Sequence, residues 1–319
     1  LFDLFPEDAK DCPTLKTKVA KDELFWLTGE NKSIKVPSWL MPKSLHNKGN
    51  YIISLGELCQ WISEKAMELG VDIFPGFPAQ SYIKDESGRV IGISTGDMGI
   101  DKEGNQKGTY TPGMDILAKQ TIFAEGARGH LGKQLIKEFN LDEGKTPQHF
   151  AIGFKEVWEV DNDMHSPGDV VHTMGWPLNE GTTGGGFLYH FDNKRIAVGL
   201  IVDLNYTNPS HSPFQEFQQF KKHPKIAQFL DFGKRVSYGA RAITKGGINS
   251  LVKMNFNGGM IIGCDAGTLN PSKIKGSHCA LQSGILAAEY IHKILSEEFC
   301  EFDDLFKNSS LYKELFKSR

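Results

Sequence analysis

Two apolar runs that each end in a glycine turn, far apart in the chain, constrain this fold more than any other feature. The first is Thr121-Ile122-Phe123-Ala124-Glu125-Gly126-Ala127-Arg128-Gly129-His130. The second is Ile261-Ile262-Gly263-Cys264-Asp265-Ala266-Gly267, followed by Asn270-Pro271 and by Lys275-Gly276-Ser277-His278, which opens a long helix. In both, a β-type run feeds a turn whose glycines supply backbone conformations closed to other residues. Two such connections divided by a long stretch imply one α/β layer, interrupted by an insert and completed by the last strand and helix. The G-x-G-x-x-G turn that ordinarily opens a dinucleotide-binding domain is absent, and the first residue is Leu1 rather than Met. The expectation is an internal piece of a larger protein.

The 319 residues, 39% hydrophobic and 24% charged, suffice for one large or two medium domains. Lys+Arg number 36 against 39 for Asp+Glu, a net charge of -3, so no basic surface suggests a nucleic-acid partner. No apolar run is long enough to span a membrane. Cys12, Cys59, Cys264, Cys279 and Cys300 are scattered without a C-x-x-C pair. Local spacing therefore encodes neither a zinc nor an iron–sulfur site, no metal ligands are expected, and the sparse odd count suits a reducing compartment.

Residues 1–50 read as irregular. Within them Val36-Pro37-Ser38-Trp39-Leu40-Met41-Pro42 is either a loop that tucks Trp39, Leu40 and Met41 into the core or a membrane-dipping loop with Lys35 and Lys43 at headgroup level. A helix is expected from Leu55 to Leu69, capped by Ser54 with Glu57 and burying Leu55, Leu58, Cys59, Ile62, Ala66 and Leu69. Val71–Phe74 reads as a short strand. Residues 79–124 read as β, with turns at 85–88 and 101–105 and a strand over 117–124. Residues 148–203 suggest a mostly antiparallel sheet, and Ser212-Pro213 starts a helix carrying Phe214, Phe217 and Phe220. A last helix runs from about Ser277 to Leu295.

The segment Gly181-Thr182-Thr183-Gly184-Gly185-Gly186-Phe187-Leu188-Tyr189-His190 is a third candidate site. Three glycines entering a strand expose backbone amides and leave room for a flat ligand, or they form a flexible hairpin approach. Tyr189 and His190 point to opposite faces, and each could bond a ligand carbonyl or a neighbouring backbone group. There is no G-x-S-x-G, H-E-x-x-H or P-loop, which removes support for acyl transfer, zinc hydrolysis and phosphoryl transfer.

The two glycine stretches resemble those that wrap the flavin in FAD-dependent oxidoreductases of the glutathione-reductase type. Added to Gly175-Trp176-Pro177-Leu178, Gly185 through His190, Tyr238-Gly239-Ala240-Arg241-Ala242, Lys273-Ile274-Lys275-Gly276 and Ser283-Gly284-Ile285-Leu286-Ala287-Ala288-Glu289, they make the chain similar to the electron-transfer flavoprotein–ubiquinone oxidoreductase family from about Pro13 to its end. The resemblance implies a split glutathione-reductase-type FAD domain of α+β or α/β class with an inserted, mainly antiparallel β quinone-binding domain. Residues 1–147 and 251–319 would belong to the former and 148–250 to the latter. It implies FAD contacts at Glu125, Gly126, Ala127, Gly263, Cys264, Asp265, Gly267, Lys275 and Gly276, quinone contacts at Thr183, Gly184 and Gly185, and membrane contacts at Trp39, Leu40 and Met41. Thr183 stands where the family has Tyr, Ser54 where some members have Arg, and Cys264 where related flavoenzymes have Asp.

By the same resemblance, electrons would pass from reduced electron-transfer flavoprotein to ubiquinone. The enzyme would sit peripherally on the bacterial cytoplasmic membrane or the mitochondrial inner membrane. The full-length protein would carry an iron–sulfur cluster whose ligands this chain lacks. Two alternatives stand beside it. One is a geranylgeranyl-reductase-type flavin enzyme, which shares the Gly263, Gly267, Asn270, Pro271 loop pattern. The other is a non-catalytic piece that serves only as a membrane- or partner-docking module.

Overall fold

The computed structural model describes residues 1–161, 163–178 and 181–319. Two compact units alternate along the chain. The sheet unit comprises Leu1–Ile73 and Phe150–Ile243, and the glycine-turn unit comprises Phe74–His149 and Thr244–Arg319. Among the described residues the helices are α1 (Leu55–Glu68), α2 (Gly132–Glu138), α3 (Pro213–Lys222), α4 (Pro224–Leu230), α5 (Gly263–Ala266), α6 (Ser277–Leu295), α7 (Phe302–Asn308) and α8 (Ser310–Lys317).

A seven-stranded sheet forms the first unit. Phe150–Glu159, Arg195–Asp203, Gly184–His190 and Asp169–Gly175 are successively antiparallel. Asp169–Gly175 then pairs in parallel with Lys21–Gly29, which makes a hairpin with Lys32–Val36. This pairing corrects two expectations. Residues 1–50 are not irregular, and residues 1–73 fold with the sheet rather than with the nucleotide-type domain. The expected boundaries at 147/148 and 250/251 fall instead at 149/150 and 243/244. Alternation explains the core: Ile196, Val198, Leu200 and Val202 face inward with Phe25, Leu27, Val171 and Leu188, covered by Phe217 and Phe220 of α3 and by Ile226 and Leu230 of α4. Ser212 caps α3 by accepting from Gln215 N, whereas Phe214 stays exposed.

Helix α1 occupies nearly its expected span, and Ser54 accepts from Glu57 N at 3.4 Å. The capping is one-sided, because Ser54 N donates to Thr14 Oγ1 at 2.7 Å. The buried face is also rotated from the expected one. Leu58 and Trp61 pack with Cys12, Phe5 and Leu15, while Leu55, Cys59 and Leu69 are exposed. The N-terminal segment covers only that narrow stripe. Val71–Phe74 is not a strand.

In the glycine-turn unit, Thr121–Phe123 lies parallel to Gly259–Ile261, which turns back against Asn255–Phe256. The expected strand over 117–124 is two strands. Asp115–Leu117 joins a separate sheet with Val90–Thr95, and Thr121–Phe123 follows after a bend. The core gathers Phe123, Leu131 and Leu135 with Met260, Ile261, Cys279, Leu286 and Ala287, and Phe302, Leu311 and Leu315 close it from the last two helices.

Candidate functional site

Because Thr121–Phe123 and Gly259–Ile261 run in register and parallel, their C-terminal ends emerge at one edge of the small sheet. Ligands of parallel layers bind outside such ends. Gly126 has φ +85°, and a Cβ there would meet nothing within 4 Å. Gly263 has φ +63°, with Ala280 Cβ 3.6 Å from the missing side chain. Ala127 is half-buried between Gly126 and Arg128, itself at φ 57°. Open backbone at two adjacent strand ends is what an extended group such as FAD needs from a chain, so these residues fit it. Gly267 and Gly276 answer to packing instead. A Cβ at Gly267 would lie 2.6 Å from Gln148 Nε2, and one at Gly276 would lie 3.2 Å from Leu269 Cδ1. Lys275 Nζ donates to Lys273 O at 3.2 Å. Burial pushes the half-buried Cys264 thiol up.

Two carboxylates expected to face a cofactor bond backbone near α2. Glu125, an exposed residue, accepts through Oε2 from Leu131 N at 2.8 Å and Gly132 N at 2.7 Å, holding the start of α2. Glu125 also lines a cleft of ≈ 900 Å³ with Gln80, Thr95, Asp97 and His130. Asp265 is 7% exposed. Its Oδ1 accepts from Gly129 N at 3.1 Å, and its Oδ2 is buried without a hydrogen-bond partner. The room is made by Gly129 and Gly132, whose Cβ atoms would collide with the carboxylate. Burial first, then the Glu125 charge, raise this carboxyl to about 6 against the pull of the Gly129 amide. The tight α5 turn thus aims the Asp265 side chain at the segment that leads into α2.

In the sheet unit the three glycines enter a central strand. A Cβ at Gly184 would strike Ile201 O, one at Gly185 would lie 2.6 Å from Thr173 O, and one at Gly186 would strike the Phe220 ring. Close approach between neighbouring strands and α3 thus accounts for the absence of a side chain at all three. Gly184 is exposed and Gly185 half-buried, which leaves backbone at the strand entrance accessible. Thr183 Oγ1 donates to Asp203. His190 is buried, accepts from Ser166 N at 3.2 Å, and is held down at about 4 by burial and by the neighbouring charges of His165 and Lys21. Tyr189 OH pairs with His172 Nε2 at 3.0 Å.

Trp39 is 79% exposed and Leu40 57%, while Met41 is 6%. Met41 is therefore corrected from surface contact to core residue, because the single helical turn Ser38–Leu40 swings it inward. The sequence reading missed a second exposed apolar row. Trp26 stands opposite Ile34 on one side and Met174 on the other, all three exposed on one sheet face. The unbroken apolar run Leu24-Phe25-Trp26-Leu27, more than one buried face can take up, was the available signal. Among the described residues no helix is long and apolar enough to cross a membrane.

Residues 150–243 match the family model described as ETF-QO, ubiquinone-binding. Over 326 aligned residues the chain is 55% identical to the electron transfer flavoprotein-ubiquinone oxidoreductase of Pseudomonas aeruginosa, covering 100% of this chain and 59% of that protein. The mitochondrial protein of that name from Homo sapiens is 44% identical over 99% of this chain and 53% of its own length. The chain thus spans a little over half the length of these curated relatives. Among solved structures, a geranylgeranyl bacteriochlorophyll reductase-like protein from Thermoplasma acidophilum superposes with a TM-score of 0.66 at 17% identity, over 92% of this chain and 68% of the other. A flavoprotein/dehydrogenase from Cytophaga hutchinsonii gives 0.61 at 14%, over 95% and 69%. At such identities these structures establish the fold alone.

Proposed function

The chain belongs to the electron transfer flavoprotein–ubiquinone oxidoreductase family, and on that premise we propose that it carries an FAD site in the glycine-turn unit and a ubiquinone site in the sheet unit. In this reading electrons come from reduced electron transfer flavoprotein and leave to ubiquinone at a membrane surface. The observation that carries the reading is a coincidence of spans. The ubiquinone-binding family model covers residues 150–243, the same residues as the second segment of the sheet unit.

Bound FAD supplies the electron-carrying chemistry. The chain's own part is placement and charge. Gly126 and Gly263 let backbone come close to the group. The N-terminus of α6 has no side-chain cap. Its free amides, with about +0.5 of a charge, favour negative charge nearby and so a more readily reduced flavin. On the quinone side, the contact is assigned to exposed backbone at Thr183, Gly184 and Gly185, with Asp203 steadying the Thr183 hydroxyl. Trp39 and Leu40, flanked by Lys35 and Lys43, would seat in the interfacial layer, with the Met174–Trp26–Ile34 row as a second apolar contact. Association is peripheral in this reading. An iron–sulfur cluster would serve the full-length protein through ligands outside this chain.

The test is direct. The chain is loaded with FAD, reduced anaerobically and mixed with a short-tailed ubiquinone. Quinone-dependent reoxidation is expected. A chain that keeps its flavin but ignores quinone sinks the quinone assignment. A chain that cannot hold flavin sinks the FAD assignment and favours the docking-module alternative.

A further inference from the structure

At the first turn of α6, beside the proposed FAD site, side chains from two distant parts of the glycine-turn unit converge on one point. His278 and Cys279 begin α6, and Glu314 lies on α8. His278 Nε2 is 2.6 Å from Glu314 Oε1, Cys279 Sγ is 3.3 Å from His278 Nε2, and Sγ is 3.7 Å from the same Glu314 oxygen. One imidazole nitrogen, one sulfur and one carboxylate oxygen therefore form a closed triangle. We propose that this triangle is a binding site for a single divalent cation of the zinc class, bound by His278 Nε2, Cys279 Sγ and Glu314 Oε1, with water in the fourth position.

The donor set and the spacing carry the argument. Nitrogen, sulfur and oxygen at bond lengths of about 2.0–2.3 Å around a tetrahedral zinc lie roughly 3.4–3.6 Å from one another. The two sulfur edges of the triangle, 3.3 and 3.7 Å, already bracket that range. Only the nitrogen–oxygen edge must open, by roughly 0.8 Å on the same bond lengths. The His278 side chain is 36% exposed, which leaves it free to move and leaves the ion a way in. A mixed sulfur and imidazole set selects zinc over magnesium or calcium, which prefer oxygen alone.

Because sulfur binds such an ion as thiolate, occupancy would release the Cys279 proton to solvent. Two neighbours already serve the carboxylate. Asn270 Nδ2 donates to Oε1 at 2.8 Å, as a partner outside the ligand triangle would. Lys273 Nζ lies 2.8 Å from Oε2, and its charge opposes the ion. Lys273 is 37% exposed at its side chain and can swing into solvent, so it lowers affinity without closing the site. His278 and Cys279 are neighbours but Glu314 lies far along the chain, so no local ligand spacing marks the site.

The test uses cobalt(II), a spectroscopic substitute for zinc, titrated into the full chain after chelator treatment. A saturable, equimolar thiolate-to-metal absorption displaced by zinc is expected. Cys279→Ser should abolish it, while His278→Gln and Glu314→Gln should weaken binding at least tenfold. Exposed Cys59 remains in all these variants and controls for stray thiolate binding. Lys273→Met keeps every donor and should tighten binding severalfold, which covers the case in which the ligand variants fold poorly. Absence of the band in the unaltered chain, an unchanged band in Cys279→Ser, or weaker binding in Lys273→Met would each overturn the site.

Discussion

At Gly184, Gly185 and Gly186 the space a side chain would take is held by Ile201 O, Thr173 O and the Phe220 ring, whereas at Gly126 that space is empty and at Gly263 nearly so. The first group lies inside a sheet, paired on both sides. The second lies where two parallel strands end. A run of glycines can thus mean that the chain needs to approach itself, and an isolated glycine can mean that something else needs to approach the chain. The two units also treat buried charge differently. In the sheet unit Glu156 is ringed by Lys221, Arg235 and Trp158. In the glycine-turn unit Asp265 meets only backbone amides and keeps one oxygen buried without a partner.

Substitutions can break this contrast or sharpen it. The largest effect is expected from Gly184→Ala, whose methyl would strike Ile201 O at φ +155°, costing about 3 kcal/mol or more in chemical denaturation. A small cost would mean that the strands part readily and that the glycines serve a ligand after all. Glu156→Ala strands Lys221 and is expected to cost about 3 kcal/mol. Burial pushes the Glu156 carboxyl up, but its bonds to Lys221 and Trp158 outweigh that and hold it below 4.5. Its contribution is therefore full at neutral pH and is lost as pH falls through that lowered value, which urea melts at pH 7 and pH 3 would register.

Gly126→Ala should cost only about 1–2 kcal/mol, from its positive φ alone, while lowering flavin affinity tenfold or more in a fluorescence titration. Unchanged affinity would leave the empty space without a tenant. Asp265→Asn should stabilise by about 1 kcal/mol at pH 7, since the folded carboxyl is raised from 3.8 to about 6 and its charge is disfavoured above that range. The gain should shrink as pH falls below 6 and vanish only below 3.8, where the folded and unfolded carboxyls are both neutral. Trp39→Ser, in an exposed turn, should change stability by no more than about 0.5 kcal/mol yet weaken sedimentation with anionic vesicles.

Local signals were readable where the structure is local. The start and end of α6, the Ser212 cap of α3 and the turns at 85–88 and 101–105 all follow from residues within a few positions of one another. The pairing of Lys21–Gly29 with Asp169–Gly175 was not readable, because nothing near Lys21 names a partner so far along the chain. The face of α1 was misjudged for a related reason. Its periodic apolar stripe is broad, and how much of it is buried depends on how little of the N-terminal segment lies over it. At the candidate sites the glycine turns were legible, but the bonding of Glu125 to the start of α2 and of Asp265 to Gly129 was not, since the latter depends on bare backbone at Gly129 and Gly132.

The alternation of the two units along the chain sets a schedule for synthesis. Residues 1–73 leave the ribosome before 150–243 and wait for them before their hairpin finds its sheet. Residues 74–149 emerge next and wait longer, since Thr121–Phe123 has no neighbour until Gly259–Ile261 arrives. Each unit must hold an unfinished half while the other unit's residues pass. Such delayed closures slow folding and leave apolar strands bare for longer. No single cut separates one unit from the other, so the two are inherited, made and lost together.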